Sequence, residues 1–399
     1  MFRSVTKKAL SVVRHRARQL SFIILERLLP AKQSHWCFCT WPGAYPHTLD
    51  NPRAVFEEVK NDTAIVKIIL SRRQVPSSSP FVLEGENVVL VEAESARGAY
   101  YLAISKVVIL GYSMATMTSY SKFLTSKHKI VQLSHGVLFK RSLRLFPGEQ
   151  FWEKETPKYA ATVCSSESDL ELMAQAFSPV PKENVWLTGL PRNDLLLKNE
   201  NELPGDYRSQ LENLRRMLGG RRLVLYAPTW RDNAAGMYAL SDPEKEALAA
   251  ILTRRNAVFG IRAHANRRTE TPDSARLGAD RILYVNDFPD VNVVLRLTDV
   301  LVTDYSSIYI DFLLTNKPIL HFTYDLPVYM SERGFVYDFD QAVASPWFAS
   351  FESLLTRLDE ALSGVAIQND QYHRAKQLFH THGDRSALRV AQRIRTLAQ

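Results

Sequence analysis

Short apolar runs alternate with longer amphipathic segments along most of the chain, from Trp36 onward. The apolar runs predict buried strands, and the amphipathic segments between them predict helices that cover a parallel sheet. The first series of predicted strands comprises residues 63–70, 87–92, 106–112, 130–134, 161–165 and 184–188, and the second comprises 222–227, 256–262, 281–285, 299–303 and 318–323. The pattern therefore predicts an α/β protein with two doubly wound, Rossmann-like domains.

A polar stretch separates the two series. It runs from Lys198 to Asp206 and contains a Pro-Gly pair, a composition typical of a linker. The chain of 399 residues is also longer than one ordinary domain. We therefore predict an N-terminal segment at 1–30, an N-terminal domain at 31–198 and a C-terminal domain at 199–399, whose last helix packs back on the N-terminal domain. Ligands of such sheets bind at the carboxyl ends of the strands, so we expect the site between the two domains.

The first thirty residues carry most of the net charge. They contain seven Lys or Arg and one Glu, whereas the formal net charge of the whole chain is +8. On a helix, one side would carry Val5, Ala9, Val12, Val13, Leu20 and Ile23, and the opposite side would carry Arg3, Lys7, Arg14 and Arg18. Such a helix can lie on an anionic membrane surface or pack against the protein. No apolar run approaches the roughly 20 residues of a membrane span, and the nearly neutral remainder argues against nucleic-acid binding.

Cysteines and acidic residues indicate neither a disulfide framework nor a metal site. Cys37, Cys39 and Cys164 are odd in number, and Cys-Phe-Cys does not have the spacing of a zinc site. A reducing cytoplasm is therefore expected. Asp304 and Asp311 are seven residues apart, and capping and solvation are ready roles for them, so we predict no bound metal.

Residues 301–312 read as a strand, a tight turn and a helix. Ser306 and Ser307 fall where the new helix leaves backbone N–H groups unpaired. Two hydroxyls and free amides at that point suit a phosphate group. An ordinary helix N-cap is the alternative.

Three other predicted strands end in residues that suit anion binding or proton transfer. His135 follows a strand directly, and Gly136 after it allows a close turn; histidine is well suited to take up a proton near neutral pH. Thr229 and Arg231 follow the first strand of the second series. Arg262 and His264 are two residues apart, so in an extended chain they share a face and could grip one anion together.

Taken together, these segments resemble the CDP-glycerol glycerophosphotransferases, which include teichoic acid primases and polymerases and related capsule polymerases. The resemblance covers most of the chain and rests on blocks in the order of that family: Gly43–Arg53, Ser134–Gly136, Gly189–Asp194, Tyr226–Asp232, Arg262–His264, Thr303–Ser307, Lys317–Asp325, Arg333–Phe335 and Gly383–Ala387.

The resemblance implies a GT-B-like fold and transfer of glycerol phosphate, or another alditol phosphate, from a CDP-alditol to an acceptor hydroxyl, with release of CMP. It implies that His135 is the general base and that His264, Ser306 and Ser307 hold the donor pyrophosphate; we assign Arg192, Thr229, Arg231, Arg262 and Asp304 to the same donor site. No cofactor is expected. The expected acceptor is a lipid-linked, phosphopolyol or glycan chain of a cell-surface polymer. The expected location is the cytoplasmic face of a bacterial membrane.

One departure from the family leaves the acceptor open. The family often has Trp before His-Gly and a small residue plus Pro after it, whereas this chain has Ser134 and then Val137-Leu138. Glycerol and ribitol donors, and primase and polymerase activities, are not distinguished. A glycosyltransferase that uses a sugar nucleotide and a non-catalytic peripheral membrane protein remain alternatives.

Overall fold

The computed structural model describes residues 2–39, 50–72, 83–146, 152–229, 238–262, 280–365 and 369–399, with side chains from His15 onward. Two parallel sheets carry the strands, which confirms the predicted α/β class. The first sheet contains β1 Lys32–Cys39, β2 Val66–Ser71, β3 Val88–Glu92, β4 Ser105–Leu110, β5 Lys129–Gln132, β6 Tyr159–Cys164 and β7 Val185–Leu187. The second contains β8 Arg222–Ala227, β9 Ala257–Ile261, β10 Ile282–Tyr284, β11 Thr298–Thr303, β12 Ile319–Phe322 and β13 Trp347–Phe348.

Every predicted strand is present, and two strands were missed. Half of β1 is polar and exposed, so it lacks the continuous apolar run of a buried strand. The two residues of β13 are too few to give a pattern.

Both sheets are doubly wound. The strand order is β3-β2-β1-β4-β5-β6-β7 in the first sheet and β10-β9-β8-β11-β12-β13 in the second. The order therefore reverses between β1 and β4 and again between β8 and β11, and ligands of open α/β sheets bind outside the carboxyl ends of the strands at such reversals.

Helices cover both sheets. They are α1 Phe2–Leu28, α2 Asn51–Val59, α3 Ala96–Ile104, α4 Trp152–Glu155, α5 Glu167–Ala176, α6 Arg192–Leu197, α7 Gly205–Leu218, α8 Asp242–Arg254, α9 Val291–Leu297, α10 Ile308–Phe312, α11 Leu326–Glu332, α12 Phe339–Ala342, α13 Phe351–Leu362, α14 Asp370–Phe379 and α15 Ser386–Ala398. Local sequence fixes several ends. Ser241 and Glu244 form a capping box before α8, and Gly219 ends α7 in the left-handed conformation.

Helix α1 packs against the first sheet through its second half. The Phe22 ring is fully buried and stacks on Tyr120 with centroids 5.1 Å apart. The buried Glu26 carboxylate accepts a hydrogen bond from Thr125 at 2.7 Å and contacts His128 Nε2 at 2.9 Å. The half that carries these contacts is therefore an integral part of the fold.

The exposed apolar residues of α1 differ from the apolar side that the sequence predicted. Leu20, Ile24 and Leu28 are 62%, 57% and 74% exposed. They lie four residues apart, so they form one apolar row along the helix. Ile23, which the sequence placed beside Leu20, is half-buried instead. The side chains of residues 3–14, which were assigned to the two sides of the helix, lie outside the described part of the structure. Within the described part of the chain, no helix is both long and apolar enough to cross a membrane.

Aromatic contacts join the two sheets. Phe139, which follows β5, packs on Tyr309 and Phe335 with ring centroids 5.4 and 4.9 Å apart. Helix α15 returns to the first sheet, where it packs against α2 and α6. The backbone N–H groups of Ser386 and Ala387 donate to the Asp194 carboxylate at 3.0 and 2.8 Å. The domain limits at 198 and 199 stay a prediction.

Candidate active site

The turn between β11 and α10 is built on a buried carboxylate. Asp304 Oδ1 accepts from the backbone N–H of Thr229 at 2.7 Å and from that of Tyr305 at 2.5 Å. Thr229 follows β8, so this contact ties the ends of β8 and β11 together where the strand order reverses. The structure thus brings the predicted residues Thr229 and Asp304 together. The Asp304 side chain accepts hydrogen bonds from the backbone there.

Ser306 and Ser307 are half-buried on that turn. Ser307 occupies the N-cap position of α10, but its side chain makes no capping hydrogen bond. The Ser306 hydroxyl accepts from the N–H of Ile308 at 3.5 Å, the upper limit of such a bond. The ordinary N-cap interpretation therefore does not explain Ser307. Because α10 has only five residues, the hydroxyls matter more here than a helix dipole.

The turn after β5 brings His135 to the same region. Ser134 has a φ of 58° and Gly136 a φ of 155°. A Cβ on Gly136 would lie 3.2 Å from an Arg192 nitrogen and 3.5 Å from the Ser307 hydroxyl oxygen. The turn that carries His135 therefore lies against Ser307 of the other sheet, and the glycine leaves room for the Arg192 guanidinium.

His135 is oriented by a carboxylate that the sequence analysis missed. Its Nδ1 lies 2.9 Å from Asp50 Oδ2, and its ring meets the Tyr112 ring edge-on with centroids 6.3 Å apart. The His135 side chain is 57% exposed, whereas Asp50 is largely buried. Since Nδ1 faces the carboxylate, Nε2 is the nitrogen that faces away from it and can take up a proton.

Asp50 adopts a backbone conformation that residues other than glycine rarely adopt. Its φ is 66° and its ψ is −148°, a region that costs an ordinary residue about 1–3 kcal/mol. The following residue, Asn51, holds the strained corner: its side chain donates to the carbonyls of Leu133 and Ser134 at 3.1 Å and accepts from the N–H of Arg192 at 2.9 Å. Strain of this kind often accompanies a functional residue.

Arg192 joins the two sides of the site. Its guanidinium donates to Asp50 at 3.0 Å, to the carbonyl of His135 at 2.6 Å and to Asp311 of α10 at 2.5 Å. Arg192 and Asp311 are both buried. The expected solvation of Asp311 is therefore wrong, because the carboxylate pairs with Arg192 inside the protein. The donor contact assigned to Arg192 stays a prediction, and its guanidinium already binds two carboxylates.

The pKa values of the two acids bound to Arg192, Asp50 and Asp311, are shifted in opposite directions. Burial alone would raise the pKa of Asp50, but the Arg192 charge and the hydrogen bond with His135 lower it below the ordinary value. Burial raises the pKa of Asp311 above its ordinary value, although Arg192 opposes the shift. Asp50 is therefore the firmly charged partner of His135.

The remaining predicted donor residues are only partly described. Arg262 follows β9 and donates to the carbonyls of Val285 and Phe288 at 3.0 and 2.8 Å, so it organises the loop after β10. Arg231 and His264 lie outside the described residues. Their assigned roles, like those of Ser306 and Ser307, stay predictions.

A second histidine lies buried beneath the serine turn. His321 Nδ1 is 3.4 Å from the carbonyl of Asp304, and Nε2 accepts from the N–H of Ala344 at 3.2 Å. The neutral ring with a proton on Nδ1 satisfies both contacts. Burial lowers the pKa of His321 to about 4, so this histidine supports the turn as a neutral group.

Comparisons with known proteins identify the family to which the chain is similar. The family model for CDP-Glycerol:Poly(glycerophosphate) glycerophosphotransferase matches residues 25–396. Teichoic acid ribitol-phosphate polymerase TarK of Staphylococcus aureus is 30% identical over 203 residues, which is 50% of this chain and 39% of that protein. The teichoic acid poly(glycerol phosphate) polymerase of Bacillus spizizenii is 26% identical over 329 residues, 76% of this chain and 78% of that protein. The chain thus spans well under half of the first polymerase.

Among solved structures, the wall teichoic acid polymerase TagF soaked with CDPG superposes with a TM-score of 0.79. The two are 18% identical, and the match covers 100% of this chain and 97% of that one. At this identity the likeness concerns the fold, and it confirms the expected GT-B-like architecture. The family model covers far more than half of the chain, so the chain is an enzyme that belongs to the CDP-glycerol:poly(glycerophosphate) glycerophosphotransferase family.

Proposed function

We propose that this enzyme transfers a polyol phosphate from a CDP-alditol to an acceptor hydroxyl and releases CMP, in the synthesis of a teichoic acid-like or capsular cell-surface polymer. CDP-glycerol is the first candidate donor because of the family to which the chain belongs. The observation that carries the proposal is the pairing of Asp50 and His135 at 2.9 Å on a turn that lies against Ser307.

This geometry suits phosphoryl transfer. The acceptor hydroxyl attacks the polyol-bearing phosphorus while Nε2 of His135 takes up its proton, and Asp50 stabilises the imidazolium that forms. A bond forms between the acceptor oxygen and phosphorus, and the bond from phosphorus to the bridging oxygen of the pyrophosphate breaks. CMP leaves with the electron pair. We assign to the hydroxyls of Ser306 and Ser307 the stabilisation of the charge that develops on the leaving phosphate, through charge-assisted hydrogen bonds.

The nucleotide that is released tests the reaction class. Purified enzyme is incubated with CDP-glycerol or CDP-ribitol and with a lipid-linked or phosphopolyol acceptor, and products are separated by anion-exchange chromatography. CMP that forms only with acceptor supports the proposal. A glycosyltransferase would release a nucleoside diphosphate from a sugar nucleotide instead, and a non-catalytic protein would release nothing.

Replacement of the base tests the mechanism. His135→Ala should lower turnover by roughly 10²–10⁴-fold and leave donor affinity nearly unchanged. His373→Ala is the matched control, because His373 is an exposed histidine on α14. Turnover within threefold of wild type in a folded His135→Ala protein would remove His135 from the mechanism.

Ribitol phosphate is the second candidate for the transferred group, since TarK is a ribitol-phosphate polymerase. Competition between equal concentrations of the two CDP-alditols, read by mass spectrometry of the product, decides between them. A product that contains only ribitol phosphate would reject the glycerol assignment and keep the reaction class.

We further propose that the enzyme works on the cytoplasmic face of the bacterial membrane and docks there through α1. The exposed row of Leu20, Ile24 and Leu28 is flanked by the exposed residues Arg16 and Arg27. An apolar row beside bases suits an anionic lipid interface, where each base contributes on the order of 1 kcal/mol. The attraction should weaken as salt is raised.

Vesicle co-sedimentation tests this docking. A variant in which Leu20, Ile24 and Leu28 are all replaced by Ser should lose binding to anionic vesicles. The control replaces three exposed apolar residues elsewhere, Met217, Val328 and Met330, by Ser. Equal pelleting of both variants and wild type would show that another surface makes the contact.

A further inference from the structure

The segment after His135 crosses from the first sheet to the second. The carbonyl of Phe139 accepts from the N–H of Val336 at 3.1 Å, and the N–H of Arg141 donates to the carbonyl of Gly334 at 3.3 Å. An antiparallel bridge between Lys140 and Phe335 lies between these two bonds. Residues 139–141 and 334–336 are therefore fixed to each other by backbone contacts, beside the turn that holds the base.

Basic side chains gather at this crossing. Residues 140–144 carry Lys140, Arg141 and Arg144, and the facing segment carries Arg333 next to a single acid, Glu332. Arg141 and Arg144 are exposed, and no acidic side chain of the described residues forms an ion pair with either of them. We call these four bases the cationic lip. It is a local excess of positive charge in a chain whose part beyond residue 30 is nearly neutral.

Side chains of the two segments of the lip also contact the facing segment. Arg333 Nε donates to the carbonyl of Arg141 at 2.9 Å, and its guanidinium carbon lies 4.2 Å from the centroid of the Phe146 ring. Gly334 has a φ of 70°, and a Cβ there would lie 3.6 Å from Arg141 Nε. Bases on two segments that are fixed to each other repel, and an anion bound beside them would offset that repulsion.

We propose that the cationic lip binds phosphodiester groups of the acceptor chain. The proposal rests on the function proposed above, because a polyol-phosphate acceptor brings a phosphate with every repeat next to the attacking hydroxyl. Arg141 follows His135 by six residues, so it lies at most about 22 Å from the base along the chain. The lip directly follows the turn that carries His135, whereas Ser306 and Ser307, the residues proposed to bind the donor, lie on a different turn. It therefore belongs to the acceptor side.

The salt dependence of binding identifies contacts of this kind. A linear polyanion releases bound cations when a base neutralises one of its phosphates, and each such contact adds about 0.7 to the slope of log K against log salt for a flexible strand. Removal of Arg141 and Arg144 should lower the slope by about one to two. It should weaken binding roughly tenfold at low salt and much less at high salt.

The probe is a fluorescent oligo(glycerol phosphate), and its binding to the full chain is followed by fluorescence anisotropy. The test variant is Arg141→Ala with Arg144→Ala. The control is Arg216→Ala with Arg393→Ala, which removes the same charge from exposed positions on α7 and α15. Arg141→Lys with Arg144→Lys should restore most of the affinity, because charge is kept. Calorimetry with CDP-glycerol should give the same affinity for all variants.

Three results would overturn the proposal. Equal loss of probe binding in the test and control variants would mean that only net charge matters. Loss of CDP-glycerol affinity in the test variant alone would assign the lip to the donor. Loss of binding to anionic vesicles, with probe binding kept, would assign it to lipid headgroups. Failure of the wild type to bind or turn over any CDP-alditol would instead refute the proposed function, and probe binding reports on the lip independently of that outcome.

Discussion

Replacement of Asp50 by Asn tests how the base is oriented. The change keeps the shape of the side chain and removes its charge, and it offers an amide N–H₂ to His135 Nδ1 instead of an acceptor. An amide that donates to Nδ1 favours the ring tautomer with the proton on Nε2, which leaves no nitrogen to take the proton of the acceptor. The carboxylate would also no longer stabilise the imidazolium.

The size of the effect follows from the contacts. The bond between Asp50 and His135 has an ordinary length of 2.9 Å, and a hydrogen bond to a charged group contributes about 1.5–3 kcal/mol. The 57% exposure of His135 favours the lower part of that range. Loss of the Asp50 contact also loosens the orientation of the ring, which adds about 1 kcal/mol, and the edge-on contact with Tyr112 remains. A total of about 2–4 kcal/mol corresponds to roughly 30–1000-fold in kcat.

The assay measures CMP release at saturating donor and acceptor, together with donor affinity by calorimetry. Asp206→Asn is the matched control, because Asp206 is also a buried acid that binds an arginine, Arg53, at 3.0 Å but pairs with no histidine of the described residues. We expect the control to lose stability and keep turnover per folded molecule. A fall of less than threefold in kcat for folded Asp50→Asn would refute the reasoning.

Three further predictions follow from other parts of the structure. Replacement of Ser306 and Ser307 by Ala should weaken CDP-alditol binding by about 1–3 kcal/mol through lost charge-assisted hydrogen bonds, and unchanged affinity in calorimetry would leave them a purely structural role. The folded-state pKa of His321, about 4, lies below the ordinary 6.5, so the neutral ring contributes about 3 kcal/mol of stability above pH 6.5 that is lost as pH falls towards 4; in denaturant titrations His321→Gln should reduce this acid slope, and an unaltered slope would place its origin elsewhere. Deletion of residues 1–30 should lower the free energy of unfolding by at least 3–5 kcal/mol because it removes the buried Phe22, so an unchanged unfolding midpoint would contradict the packing of α1.

The fold was largely predictable from sequence because a parallel sheet buries its strands on both faces. Each inner strand then appears as an apolar run between amphipathic segments, and every strand with such a run was found. The exceptions were β1 and β13, at Lys32–Cys39 and Trp347–Phe348. The sequence did not show which side of α1 is buried, because the buried side contains the charged residue Glu26 and the exposed side contains leucines. A charge held in a buried hydrogen-bond network reverses the usual pattern.

Residues at the ends of strands were predictable as site candidates, whereas their partners were not. His135 and Ser307 lie within four residues of the ends of β5 and β11, so topology alone brings them to one edge of each sheet. Asp50 begins a helix 85 residues before His135 in sequence, and an Asp before a helix reads as an ordinary cap. Its role depends on a three-dimensional contact, and the only sequence signal was the position of Asp50 within the block Gly43–Arg53 that resembles the family.

The contacts of Arg192 also could not be predicted from the sequence, and they bear on the proposed mechanism. Sequence alone assigned it to donor phosphate, and in the structure its guanidinium connects Asp50, which orients the base, to Asp311 on the helix that begins at the serine turn. Breaking one partner of a buried pair costs far more than breaking an exposed one. A buried ion-pair network therefore links the turn that carries His135, the proposed base, to the turn that carries Ser306 and Ser307, the proposed phosphate ligands. Transfer requires the attacking oxygen to approach phosphorus in line, so a rigid link between the two sides holds the reacting groups in register without help from the substrate.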